Sequence, residues 1–208
     1  STAPIDSYYA MAAIGSTVVS VGTDGLIARS VKEGSNWTAS VNKDFISGDL
    51  RTVAGRSDTT NVWISAGGDG IEGVILRSAD DGLNWSESTS IDDLGFSGSV
   101  WTGASWLVCG LDELSFEGVV YRSTDNGLTW GPVTLPASVA PLLSFASDGA
   151  GNVVAVGESG MILYSADHGQ TFVQLGAGLL SEDLLVAVAT GTNEFFVGGG
   201  GKVLLQLQ

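Results

Sequence analysis

Basic residues are scarce in this chain. Eight lysines and arginines stand against 23 aspartates and glutamates in 208 residues, a formal net charge of −15. Nucleic-acid binding needs a basic stripe to neutralise phosphates, so this composition excludes it, and insertion at an anionic membrane is disfavoured for the same reason. Cysteine is nearly absent too. Cys109 is alone, which rules out an intrachain disulfide, and its place in the apolar run Trp106–Cys109 reads as a small buried hydrophobe. His168 is the sole histidine and reads as a solvated turn residue. One histidine and one cysteine assemble neither a Ser-His-Asp set nor a zinc site, so no metal and no cofactor is expected. No apolar run is long enough to span a bilayer. The first residues, Ser1-Thr2-Ala3-Pro4, carry no signal-peptide pattern; a protein made in the cytoplasm is the expectation. Prolines number only four, whereas glycines number 30, a balance that fits many tight turns.

What the chain has in quantity is repetition. Ser78-Ala79-Asp80-Asp81-Gly82-Leu83-Asn84-Trp85 returns as Ser123-Thr124-Asp125-Asn126-Gly127-Leu128-Thr129-Trp130 and as Ser165-Ala166-Asp167-His168-Gly169-Gln170-Thr171-Phe172. A worn copy, Ser30 to Trp37, keeps Gly34 and Trp37 but has Lys32 in place of the aspartate. The leading serines at 30, 78, 123 and 165 give spacings of 48, 45 and 42 residues. Each box follows two short apolar runs, the first ending in glycine, such as Val153–Gly157 and Met161–Tyr164; Phe195–Gly198 and Lys202–Leu205 form a fifth pair without a box. Short β-branched and aromatic runs bounded by Gly and Asp read as strands joined by hairpins, and a period near ~45 residues points to propeller blades.

The consensus S-x-D-x-G-x-T-W resembles the Asp-box, or bacterial neuraminidase repeat. With that resemblance the fold expected is all-β, a single five-bladed β-propeller over residues 1–208, with repeats at 8–43, 48–91, 98–137, 141–176 and 183–208; either residues 1–7 close the last blade or it stays three-stranded. The boxes then lie at turns between the third and fourth strands. Asp accepts backbone hydrogen bonds, Gly supplies positive φ, and the aromatic ring buries itself, so Asp80, Asp125 and Asp167 are architectural. Sialidases share the repeat, but the resemblance implies an arginine triad spread over several blades. Three of the five arginines here, Arg29, Arg77 and Arg122, precede box serines, and Arg51 and Arg56 fall in one repeat. The chain is therefore expected not to be an enzyme. Arginine repeated at one position suits pairing with an acid of the neighbouring blade. The Arg-Ser-x-Asp pattern is also similar to that of photosystem II assembly factors.

Two loops outgrow their counterparts. The minimal form is seen at Gly22–Gly25 and Gly157–Gly160, whereas Gly67–Gly73 and Gly110–Gly118 are longer and acidic. Asp69, Glu72, Asp92, Asp93, Leu111, Asp112, Glu113, Leu114, Phe116 and Glu117 are the candidate partner contacts. The function expected is a structural or protein-interaction module in a large assembly, such as a virion (phage tail or capsid decoration). Glycan binding and service as an assembly factor are the alternatives.

Overall fold

The computed structural model describes residues 7–40, 48–57, 60–176, 178, 180–200 and 204–207. It is all-β, built of antiparallel sheets in which successive strands are hydrogen-bonded neighbours. Strands β1 (Tyr8–Ile14), β2 (Thr17–Gly22), β3 (Ile27–Ser30) and β4 (Thr38–Ala39) form the first sheet. The second comprises β5 (Asp49–Arg56), β6 (Val62–Gly68), β7 (Glu72–Ser78) and β8 (Ser86–Asp92). The third holds β9 (Leu94–Trp101), β10 (Trp106–Asp112), β11 (Gly118–Ser123) and β12 (Gly131–Pro132). The fourth holds β13 (Leu142–Ser147), β14 (Val153–Gly157), β15 (Ile162–Ser165) and β16 (Val173–Gln174). Among the described residues three strands make the fifth: β17 (Leu184–Gly191), β18 (Glu194–Gly199) and β19 (Leu204–Leu207).

The chain divides into two compact units, residues 1–96 and 97–208. In the first, Val19, Val21, Ile27, Val53, Trp63 and Leu76 form a core joining the first two sheets. In the second, Leu107, Cys109, Leu142, Phe145, Leu163 and Phe172 join the third and fourth sheets, and Val154, Ile162, Leu184 and Phe195 join the fourth and fifth. The apolar runs of the sequence thus bury both faces of the middle strands, as β6 and β14 show along almost their whole length. Cys109 is fully buried, and burial pushes its thiol far above the usual range, as a small hydrophobe requires.

One backbone device recurs. The first strand carries a bulge at Tyr8/Ala10, Leu50/Thr52, Leu142/Ser144 and Leu184/Val186, next to a glycine of the second strand. At that point a carbonyl of the incoming chain turns onto the neighbour: Ser7 accepts from Thr23 N–H at 3.0 Å, Pro141 from Glu158 at 2.9 Å and Asp183 from Gly200 at 2.9 Å. A Cβ at Gly22, Gly67, Gly157 or Gly199 would overlap the adjoining carbonyl. Ser7 is thereby tied to the first sheet. Residues 1–6, which with Ser7 were one candidate for closing the last blade, lie outside the described residues, as do 41–47 and 201–203.

Candidate functional site

The box turns fall between the third and fourth strands of the first four sheets. In the third sheet the Ser123 hydroxyl donates to Asp125 Oδ1 at 2.8 Å and accepts from Gly127 N–H at 2.9 Å. Asp125 also accepts from the N–H groups of Leu128 and Thr129 at 3.1 and 2.9 Å, and from the Thr129 hydroxyl at 2.5 Å. Asp167 repeats this with Ser165, Gln170 and Thr171. Asp80 does so with Ser78 and Asn84, while Trp85 Nε1 donates to the Gly82 carbonyl at 3.0 Å. Trp85 and Phe172 are buried; Trp130 and Trp37 are half-buried.

These carboxylates are held for structure. The hydroxyl and N–H of Thr129 keep Asp125 at a pKa of about 2. Burial works against ionisation of Asp167, but hydrogen bonds from Thr171, Ser165 and Gln170 outweigh it and hold that group at about 2 as well. Burial opposes and Asn84 and Ser78 overcome it at Asp80, which is also lowered. In the worn copy Gly34 N–H still bonds to Ser30 Oγ at 3.1 Å, and Glu33 and Gly34 keep φ of 52° and 80°, close to 63° and 80° at Asp81 and Gly82. The turn keeps its shape without the carboxylate.

The box position before the glycine proves to be the second functional element of the turn. Asp81, in the second sheet, reaches the first: it accepts from Arg29 at 2.8 Å, Thr17 at 2.7 Å and its own sheet's Asn61 at 2.8 Å, and its carbonyl takes Arg29 Nε at 2.6 Å. The expected pairing of a repeated arginine with a neighbouring acid is thus realised by Arg29 and Asp81. Burial alone would raise the Asp81 pKa; Asn61, Thr17 and Arg29 reverse this and lower it. Asp81→Asn is expected to cost about 1 kcal/mol, because the charge-assisted bond to Arg29 is lost while the turn remains. Denaturant unfolding would show this as a lower midpoint at unchanged slope.

His168 occupies the same position in the fourth sheet, and the expectation of a solvated turn residue is corrected. Its Nδ1 lies 3.0 Å from the Thr102 carbonyl, and its own carbonyl accepts from Ser105 Oγ at 2.7 Å and Arg122 Nε at 3.0 Å. Its N–H donates to the Gly151 carbonyl. Thr102, Ser105 and Arg122 belong to the third sheet, so the sequence around His168 carries no sign of the role. Where Tyr164 replaces the arginine, its hydroxyl bonds Asn152 at 2.8 Å and, in the fifth sheet, Asn193 at 3.1 Å.

The candidate contact loops differ in what they offer. In the β6–β7 loop Asp69 caps its own turn, accepting from Ile71 and Glu72 N–H. Asp93 is a turn residue with φ 58° whose N–H bonds the Ile71 carbonyl, and Glu72 and Asp92 face each other across β7 and β8. In the β10–β11 loop Asp112 accepts from Leu114 and Ser115 N–H, both at 2.9 Å, and its carbonyl takes Phe116 N–H at 2.8 Å. The N–H groups of Ser115 and Leu114 lower its pKa. Asp69 and Asp112 are therefore loop frames. Leu114, Phe116 and Glu117 are exposed on the second frame, whereas Leu111 and Glu113 are half-buried. Among the described residues no group of three or more His, Cys, Asp or Glu side chains is placed to hold a metal, and no helix is long and apolar enough to cross a membrane.

No family model matches the chain, and no curated protein does. Solved structures do. One of YCF48 bound to D1 peptide is 18% identical at a TM-score of 0.63, over 99% of this chain and 67% of that one. A GH74 xyloglucanase from Xanthomonas campestris is 12% identical at a TM-score of 0.73, over 99% of this chain but 37% of that one. The WD40 β-propeller domain of Doa1 is 11% identical at a TM-score of 0.70, over 97% and 65%. At these identities the likeness establishes the fold: an all-β chain of propeller type.

Proposed function

We propose that the chain is a non-enzymatic protein-interaction module, an Asp-box propeller of five blades in which each repeat supplies one sheet. The observation that carries this reading is the β10–β11 loop, where Leu114 and Phe116 are 74% and 68% exposed on a hydrogen-bonded frame. Phe116 holds φ at 57°, an unfavourable region for a bulky side chain, and contributes nothing to the buried core. Glu113 and Glu117 rim it with negative charge. A partner surface with an apolar pocket and a basic margin fits both features. The box aspartates support the non-enzymatic reading, since their oxygens are engaged by their own turns.

The neighbour bound to D1 peptide favours a second reading, an assembly factor that holds a segment of another protein. Both readings place the chain in a large assembly, and a virion is one such setting. The test is Leu114→Ala/Phe116→Ala, with size fractionation of the native source as readout. Loss of co-migration with the large particle is expected at an unchanged melting temperature, because exposed side chains add little to stability. Retained co-migration sinks the loop as the contact, and release of the chain by a free sugar would instead favour glycan binding.

A further inference from the structure

We propose that the surface along β11 and β12 is a binding trough for an extended peptide that ends in a free carboxylate, which Arg122 holds. This goes beyond the loop reading: the loop joins the Leu111–Gly118 end of the β10–β11 ladder, and Arg122 stands near the opposite end, beside the Trp106–Ser123 pair. Two cavities open along β11. One, of about 230 Å³, is lined by Glu117, Tyr121, Pro132, Val133 and Val139 among others; the second, of about 480 Å³, by Arg122, Pro132, Val133, Thr134, Gln170 and Thr171. They share Pro132 and Val133, so the depression runs from Glu117 to Arg122, five residue steps or about 17 Å at ~3.3 Å per residue. That length suits about five residues of extended peptide, with apolar side chains over Pro132 and Val133.

The charge at the Arg122 end is what selects the ligand. Arg29, at the same repeat position, has its guanidinium on the Asp81 carboxylate. Arg122 meets His168 instead: Nε is spent on a backbone carbonyl, and among the described residues no acid forms an ion pair with the guanidinium. Arg122 lines the larger cavity, and a guanidinium is the group that a carboxylate meets with two parallel hydrogen bonds. Asp167, ionised down to about pH 2, sits one hydroxyl away behind Thr171. That neighbour disfavours a dianion such as phosphate relative to a singly charged carboxylate. Glu117 at the far end favours a peptide whose upstream residue is basic.

The test is an NMR titration of the ¹⁵N-labelled chain with N-acetyl-Val-Ala-Leu bearing a free carboxylate, and with its C-terminal amide. The Arg122 Nε–H resonance and the amides of Val133, Thr134 and Gln170 should shift with the acid, at a dissociation constant on the order of 1 mM. The amide should bind at least about tenfold more weakly, as should the acid to Arg122→Gln. His168→Asp should abolish the response by supplying the internal carboxylate that Asp81 gives Arg29, whereas His168→Asn, the residue type at Asn126, should keep it. Absence of an Arg122 shift, an unaffected His168→Asp variant, or a response to inorganic phosphate as strong as to the peptide would each overturn the proposal. Leu114→Ala/Phe116→Ala should leave the titration unchanged, so failure of the loop reading and failure of the trough are separately visible.

Discussion

Gly157→Ala is expected to destabilise the second unit by about 3 kcal/mol or more, at the top of the range for inserting atoms into a filled interior. The added Cβ would meet the carbonyl of Pro141 and the Cα of Leu142, which are backbone atoms and cannot rotate away. Relief requires the bulge at Leu142/Ser144 to move, and with it the Glu158 N–H bond to Pro141. Leu142 is fully buried in the core between the third and fourth sheets, so that movement opens packed surface. Thermal unfolding followed by circular dichroism is the check. Gly149→Ala provides the control, because φ there is also positive, at 73°, but no atom lies within reach of the new Cβ. That variant should cost about 1 kcal/mol from backbone strain alone. Equal losses for the two would contradict the close approach.

Asp167→Ala is expected to cost about 2 kcal/mol at neutral pH, since one side chain accepts from Ser165, Gln170 and twice from Thr171. The figure is held low because the turn lies at the surface and water replaces part of what is lost. Its pH dependence is the sharper signature. The folded-state pKa of about 2 lies below the ordinary 3.8, so the stabilisation is complete above the unfolded value and is lost as pH falls through the folded one. The stability gap between wild type and variant should therefore be constant above about pH 5 and close between about pH 4 and 2. Asp125→Ala should follow the same curve. Lys32→Asp is the reciprocal change: it places the missing acceptor in a turn that already has the right φ values, and a gain of about 0.5–1 kcal/mol is expected. A gap that persists at pH 2 would show that the aspartates act otherwise than as ionised acceptors.

The strands were legible because apolar runs, terminal glycines and boxes recur together; β1 and β14 fall where those runs predict. The box chemistry was legible for a related reason, since Ser123, Asp125, Gly127 and Thr129 interact within four residues of one another. His168 was not, because its partners Thr102 and Ser105 are more than sixty positions away and its neighbours in sequence resemble any turn. Asp69 and Asp112 read as contact acids from composition, yet their carboxylates are turned inward onto loop N–H groups, a matter of side-chain direction that spacing does not encode. The trough beside β12 is invisible in the sequence too. It depends on Gln170 and Thr171 arriving beside Pro132 and Val133 through the packing of the fourth sheet on the third.

The most direct measurement is photo-crosslinking in the native source with p-benzoylphenylalanine placed at Phe116, and in parallel at Leu128, an exposed apolar residue of a box turn. A protein-binding β10–β11 loop predicts one discrete protein adduct from position 116 and none from position 128. An adduct from position 128 alone, or none from 116 while the chain still co-migrates with a large particle, would contradict the loop as the site of recognition.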